Sequence, residues 1–234
     1  MTDKVGKFRV ALIVPSSNTV MENDFHAALP KEQFSVHTDR MYLVETTREA
    51  EVKMIKEHAP AAAADLRTVH PDLIVFGCTS AGSLFGLDYD AEICSNLGRV
   101  AGCPSLGVIS SVASALDATG ARRIAVLTPY NDDLTRAVAR ATVSSQREVV
   151  AAYGMGITDN VALADPTPRD ILKFAKATLS GTKFDGLFVS CTNFRAYEAR
   201  EALQSAFGVP VVTSNSAAIQ AVLARAESNL GSHN

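Results

Sequence analysis

The feature that most constrains this chain is a plan written twice. FRVALIV at 8–14 leads into Pro15-Ser16-Ser17-Asn18-Thr19 and a helix-compatible stretch. RIAVLT at 123–128 leads into Pro129-Tyr130-Asn131-Asp132 and another. Later, DLIVFGCTS at 72–80 is answered by DGLFVSCTN at 185–193, and CPSLGV at 103–108 by GVPVV at 208–212. The spacing agrees, with 60 residues from Asn18 to Cys78 and 60 from Asn131 to Cys191. Such an echo implies two pseudo-twofold lobes, each with an asparagine loop after its first strand and a Cys-Thr loop after a later one. The join is expected near Ser110–Gly120, giving an N-terminal lobe 1–112, a C-terminal lobe 113–213, and a tail 214–234 packed back on the first lobe.

Within each half, short β-rich apolar runs alternate with longer helix-compatible stretches, the pattern of an α/β fold with mainly parallel sheets flanked by helices. Strands are expected at 8–14, 34–37, 73–77, 106–109, 123–128, 148–152, 186–190 and 210–213. Helices are expected at 46–69, 111–119, 131–145, 167–180, 195–206 and 215–228. Asn131-Asp132-Asp133 and Pro166-Thr167-Pro168-Arg169-Asp170 read as helix starts. Ligands of open parallel sheets bind beyond the carboxyl ends of the strands, where all four loops lie. Lobes facing each other would therefore bring Cys78 and Cys191 to one cleft.

Composition narrows the function classes. A chain of 234 residues that is 47% hydrophobic can bury a full core. A net charge of −3 gives no global attraction to nucleic acid or anionic membranes. No apolar run is long enough to span a bilayer, and the N-terminus MTDKVGKFRV has no apolar signal core, so a cytoplasmic location is expected. The four cysteines form no C-x-x-C pair and no zinc spacing, and in a reducing compartment they are thiols. Cys94 and Cys103 read as small buried hydrophobes.

Cys78 and Cys191 carry more. Each follows a strand and precedes Thr-Ser or Thr-Asn near a helix start, where free N–H groups favour an anion, either a thiolate or a bound carboxylate. A thiolate can add to an electron-poor carbon, and a thiol/thiolate pair can move a proton to and from carbon. Two thiols on opposite faces of a planar substrate allow addition on one side and protonation on the other, while asparagine, serine and threonine groups bind its carboxylates.

Taken together, PSSNT at 15–19, GCTS at 77–80, TPYND at 128–132 and SCTN at 190–193 resemble the aspartate/glutamate racemase superfamily, in its maleate cis-trans isomerase and arylmalonate decarboxylase branch. The resemblance runs over about residues 8–225. It implies two Rossmann-like lobes, an interlobe active site and no metal, pyridoxal or nucleotide cofactor. Single-cysteine decarboxylases of the branch have glycine at the first cysteine position, whereas this chain has both cysteines. PSSNT and SCTN look more like the maleate isomerase pattern than that of amino-acid racemases. The resemblance assigns Cys78 as nucleophile and Cys191 as acid/base. Asn18, Tyr130 and Asn160 fall where it places carboxylate contacts, with Asn131 in the same TPYND loop. Thr79, Ser80, Thr192 and Asn193 add hydroxyls, an amide and N–H groups.

Other features have plainer readings. Asn160 without the resemblance is a helix cap, and Tyr130 a strand-end aromatic. His26, His37, His58, His70 and His233 have no mutual metal spacing. Gly82 and Gly86 form no phosphate loop. Glu45 and Arg48, in VETTREAEVK at 44–53, fit a solvated helix face. The expected function is a cofactor-independent isomerase of a small dicarboxylate, maleate to fumarate. Alternatives are an amino-acid racemase, a decarboxylase-like or ectoine-utilisation member, and a non-catalytic small-molecule sensor. A homodimer is the expected assembly.

Overall fold

The computed structural model describes residues 7–45, 47–83 and 86–231. The first half runs β1 (Phe8–Pro15), α1 (Met21–Ala28), β2 (Phe34–Met41), α2 (Arg48–Lys53), α3 (Ala59–Leu66), β3 (Leu73–Phe76), α4 (Thr79–Ser83), α5 (Leu87–Ala101) and β4 (Ser105–Gly107). A helix, α6 (Val108–Thr119), leads to the second half. This comprises β5 (Arg123–Thr128), α7 (Asp132–Thr142), β6 (Glu148–Gly154), α8 (Pro168–Thr178), β7 (Gly186–Val189), α9 (Ala196–Phe207), β8 (Val211–Thr213) and α10 (Ser214–Gly231). Two four-stranded sheets result, ordered β2-β1-β3-β4 and β6-β5-β7-β8, and every pairing in them is parallel.

The central strands are apolar on both faces because both faces are covered. In β1, Val10, Leu12 and Val14 join a core that continues into the second sheet, whereas Ala11 and Ile13 face a separate core under α3 and α5. The repeat extends to the start of each sheet. Asp72 Oδ2 accepts the Arg9 N–H at 2.9 Å, and 113 positions later Asp185 Oδ1 accepts the Arg122 and Arg123 N–H groups at 2.9 and 2.7 Å. Each aspartate fixes the register of the strand pair that ends in a Cys-Thr loop. Beside that loop, a Cβ on Gly77 would lie 2.7 Å from the Ile13 carbonyl oxygen, so β3 leaves the sheet there only as glycine.

Several expectations shift. β2 continues to Met41 although SVHTDRM is polar, because β2 is an edge strand whose outer side meets solvent. β4 ends at Gly107, and Val108 and Ile109 open α6 instead of closing the strand. The buried Asp90 carboxylate accepts the Ser110 N–H at 3.3 Å and so fixes that helix start. The stretch 46–69 is broken into α2, a π-helical turn at Met54–His58, α3 and a 3₁₀ turn at Arg67–Val69. The sequence reading assigns no helix at 87–101, where the structure has α5, with Ile93, Cys94, Leu97 and Ala101 buried at helical spacing.

α6 and α10 pack on each other between the sheets, and α10 also touches α1 and α9. Helix starts follow their capping oxygens. Asn131 Oδ1 accepts the Leu134 N–H, and Thr167 and Asp170 form a reciprocal capping box. Among the described residues, no helix is long and apolar enough to cross a membrane.

Candidate active site

The carboxyl ends of the two sheets meet over a cavity lined by Pro15, Ser17, Asn18, Leu43, Cys78, Thr79, Ser80, Tyr130, Asn160, Leu163, Cys191, Thr192 and Asn193. Both cysteines are buried on it. A larger groove of about 680 Å³ between α6, α9 and α10 contains no cysteine. Among the described residues its one charged side chain, Arg200, donates to the Val211 carbonyl at 3.1 Å, so that groove offers no comparable chemistry.

The two sulfurs have parallel settings. Cys78 lies where β3 gives way to α4, and its sulfur receives the Ala81 N–H. The Asn193 N–H donates to Cys191 Sγ at 3.3 Å, and the Tyr130 hydroxyl bonds the same sulfur. Cys191 adopts φ 102°, a left-handed backbone rarely taken by a residue with a Cβ. These donors favour a thiolate, as the helix-start reading expects, but burial outweighs them. Burial, followed by the nearby Glu51 carboxylate, pushes the Cys78 thiol up to about 12. Burial pushes Cys191 up to about 12 against the Tyr130 and Asn193 hydrogen bonds. At rest both cysteines are therefore thiols near neutral pH. The Tyr130 hydroxyl is itself raised well above its ordinary value, first by burial.

The surrounding polar side chains stitch the lobes together. Asn18 Oδ1 accepts the Val20 and Met21 N–H groups at 3.0 Å, while its Nδ2 donates across the cleft to Thr192 Oγ1 at 3.1 Å. Thr192 Oγ1 donates in turn to the Gly77 carbonyl at 3.1 Å. Asn193 Oδ1 accepts the Thr19 N–H at 2.8 Å, and its Nδ2 donates to the Asn160 carbonyl at 2.8 Å. Thr79 Oγ1 donates to Ser214 Oγ at 2.9 Å, and that hydroxyl accepts the Cys191 N–H at 3.0 Å. Ser80 Oγ lies 3.6 Å from Cys78 Sγ.

The structure thus brings Cys78, Cys191, Asn18, Thr79, Ser80, Tyr130, Asn160, Thr192 and Asn193 to one cavity. It does not bring Asn131 there, because that side chain is exposed and spends its oxygen capping α7. The capping role read for Asn160 belongs to its neighbour, as Asp159 Oδ1 accepts the Val161 and Ala162 N–H groups at 2.9 Å. Four residues escape the sequence reading, Leu163 of the cavity lining among them. Ser214 could have been found from the strand-end TSNS at 213–216, whose Thr213 and Ser216 cap one another. Leu43 carries no such local signal. Glu51 lies in the stretch read as a solvated face, which is right for the exposed Glu45 and Arg48 and wrong for Glu51, only 1% exposed. Of the histidines, His37 bonds Ser35 and His58 packs edge-on to Tyr42, while His233 lies outside the described residues. Cys94 is buried and Cys103 half-buried.

A model of the arylmalonate decarboxylase family matches residues 10–233. The chain belongs to that family. Among its family relatives, a maleate isomerase of Geobacillus stearothermophilus is 29% identical over 231 residues, covering 92% of this chain and 90% of that one. The solved maleate isomerase Iso of Pseudomonas putida S16 superposes with a TM-score of 0.87 at 25% identity, covering 94% of this chain and 92% of that one. A Nocardia farcinica maleate cis-trans isomerase mutant, solved with a covalently bound succinylcysteine intermediate, has the same fold. Its TM-score is 0.85 at 21% identity, over 95% of this chain and 94% of that one.

Proposed function

We propose that this family member is a maleate cis-trans isomerase that works through Cys78 and Cys191. The observation that carries this reading is the pair of buried thiols, one from each lobe, on a single cavity walled by amides and hydroxyls. Cys78 Sγ, passing its proton to a neighbouring group and regaining it on product release, forms a bond to one alkene carbon, and the π pair moves to the other, where the attached carboxylate delocalises it. Cys191 protonates that carbon, giving a succinyl thioether. Rotation about the new single bond, removal of the proton by Cys191 and return of the C–S pair to sulfur release fumarate. No electron is gained or lost overall. Asn18, Tyr130 and Asn160 supply the carboxylate contacts, with Thr79, Ser80, Thr192 and Asn193 beside them.

The lining favours this substrate class over an amino acid, because no described lining side chain carries the carboxylate that would best seat an ammonium. Two thiols also set it apart from a one-cysteine decarboxylase. The four free thiols support a reducing, cytoplasmic setting, and a homodimer is the assembly we propose with it.

Purified protein mixed with maleate in D2O, followed by proton NMR, tests the reading. Fumarate is expected to appear, and Cys78→Ala or Cys191→Ala to reduce its rate at least about 10³-fold. Undiminished conversion by either variant would sink the mechanism.

A further inference from the structure

Burial raises both thiols well above their ordinary value, and among the described residues no lysine, arginine or histidine lines their cavity. Forming a C–S bond at Cys78 therefore requires a destination for its proton. The structure has one beside it. Glu51 sits on α2 just ahead of the π-helical turn at Met54–His58, the kind of local irregularity that re-aims side chains at functional sites. Its neighbours Arg48, Glu49 and Lys53 are exposed, yet Glu51 is turned inward, and its Oε1 is buried without a hydrogen-bond partner. A buried carboxylate oxygen left unpaired is costly and calls for a reason. The side chain that its carboxyl meets is Ser80, whose Oγ is 3.6 Å from Cys78 Sγ.

We propose that Glu51 is the proton acceptor for Cys78, acting through the Ser80 hydroxyl. The proposal rests on Cys78 being the nucleophile, and it makes Glu51 a positioning residue because it reaches sulfur only through Ser80. As Sγ bonds to the alkene carbon, the S–H proton passes to Ser80 Oγ and the Ser80 proton passes to the Glu51 carboxylate. When the C–S pair returns to sulfur, both protons move back. The negative charge leaves Glu51 as it appears on the substrate carbon and passes to the Cys191 sulfur when Cys191 protonates that carbon, so the cavity never gains a second uncompensated anion beside the dicarboxylate. The titratable groups that feel Glu51 are Cys78, after β3, and Tyr130, after β5. Burial, opposed by Ser80, raises the Glu51 carboxyl to about 7, within the range where an acid/base group is effective near neutrality.

A merely electrostatic Glu51 would have the opposite effect, because its negative charge makes the thiol harder to ionise. Measuring iodoacetamide alkylation of Cys78 by peptide mass spectrometry, on the full chain without substrate from pH 5.5 to 9, separates the two. The wild-type rate should rise through about pH 7, following Glu51. Glu51→Gln and Ser80→Ala should each lower the rate about tenfold at pH 7.5 and abolish that rise, and the double variant should be no slower than either single one. Turnover of maleate by Glu51→Gln should fall at least about 100-fold in kcat, with KM within about threefold. Equal or faster alkylation of Glu51→Gln, an unaffected Ser80→Ala, additive losses, or an unreactive wild-type Cys78 would each overturn the relay. A wild-type protein with the expected alkylation pattern but no conversion of maleate would reject the substrate and leave the relay standing.

Discussion

Glu51 has a consequence for stability that is separate from its chemistry. Its carboxyl is raised from an ordinary 4.5 to about 7, first by burial, so the folded protein binds that proton more tightly than the unfolded chain does. The stability linked to it is full below pH 4.5 and is lost as pH rises through about 7. Glu51→Gln never ionises, so it should exceed the parent in stability at pH 8 by up to about 3 kcal/mol, with the margin closing toward pH 4.5. Asp24, raised to about 6 chiefly by burial, acts in the same direction but is common to both proteins. Denaturant unfolding at the two pH values measures the margin, and a constant margin would contradict the burial of this carboxyl. A second residue, Cys191, bears a left-handed φ of 102°. Both Cys191→Gly and Cys191→Ala should be inactive, but the glycine variant should be the more stable by roughly 1 kcal/mol, because only glycine adopts that backbone without strain.

At the scale of elements, Leu43, just after β2, contributes to the wall of the cavity. The cavity has about 20 Å³ open, room for little more than one water molecule, so a dicarboxylate must displace part of its wall. Leu43 forms part of that wall, held by the Ser16 hydroxyl, which accepts the Leu43 N–H at 3.0 Å. Leu43→Ala should raise kcat/KM for 2-methylmaleate relative to maleate by about tenfold, since one methyl group against a tight apolar wall is worth about that much. Competition between the two substrates followed by NMR would show it, and an unchanged ratio would remove Leu43 from substrate selection. α8 provides a contrast. Thr167→Ala breaks its capping box and should cost about 1 kcal/mol of stability while leaving turnover unaltered, because the helix start lies apart from the cavity lining.

For the molecule as a whole, the catalytic proposal depends on two lobes held in one relation. Asn193 is central to that seam, bonding Thr19 and Ser17 of the first half and Asn160 of the second. Asn193→Ala should cost about 2 kcal/mol or more, because it strands buried partners, and should also lower kcat. Loss of stability without loss of rate would mean that the seam holds the lobes but not the sulfurs.

How much of this was legible in the sequence differs by level. Alternating apolar runs marked eight strands, because parallel strands covered on both faces must be apolar throughout. The duplicated Asn and Cys-Thr loops marked which strand ends matter. The polar pattern of β2 understates its length and that of α5 gives no clear helix, since an edge strand and a half-exposed helix carry weaker patterns. The sequence by itself determined the two sheets, their repeat and the cysteine loops at their carboxyl ends, for these follow from local periodicity and turn chemistry. Only the tertiary structure decided that Asn18 meets Thr192 across 174 residues, that Asn131 turns outward while Asn18 turns in, and that Glu51 is buried against Ser80. Burial and proximity of that kind arise where α6 and α10 pack the lobes together and a π turn rotates one helix. No local pattern of residues encodes either event.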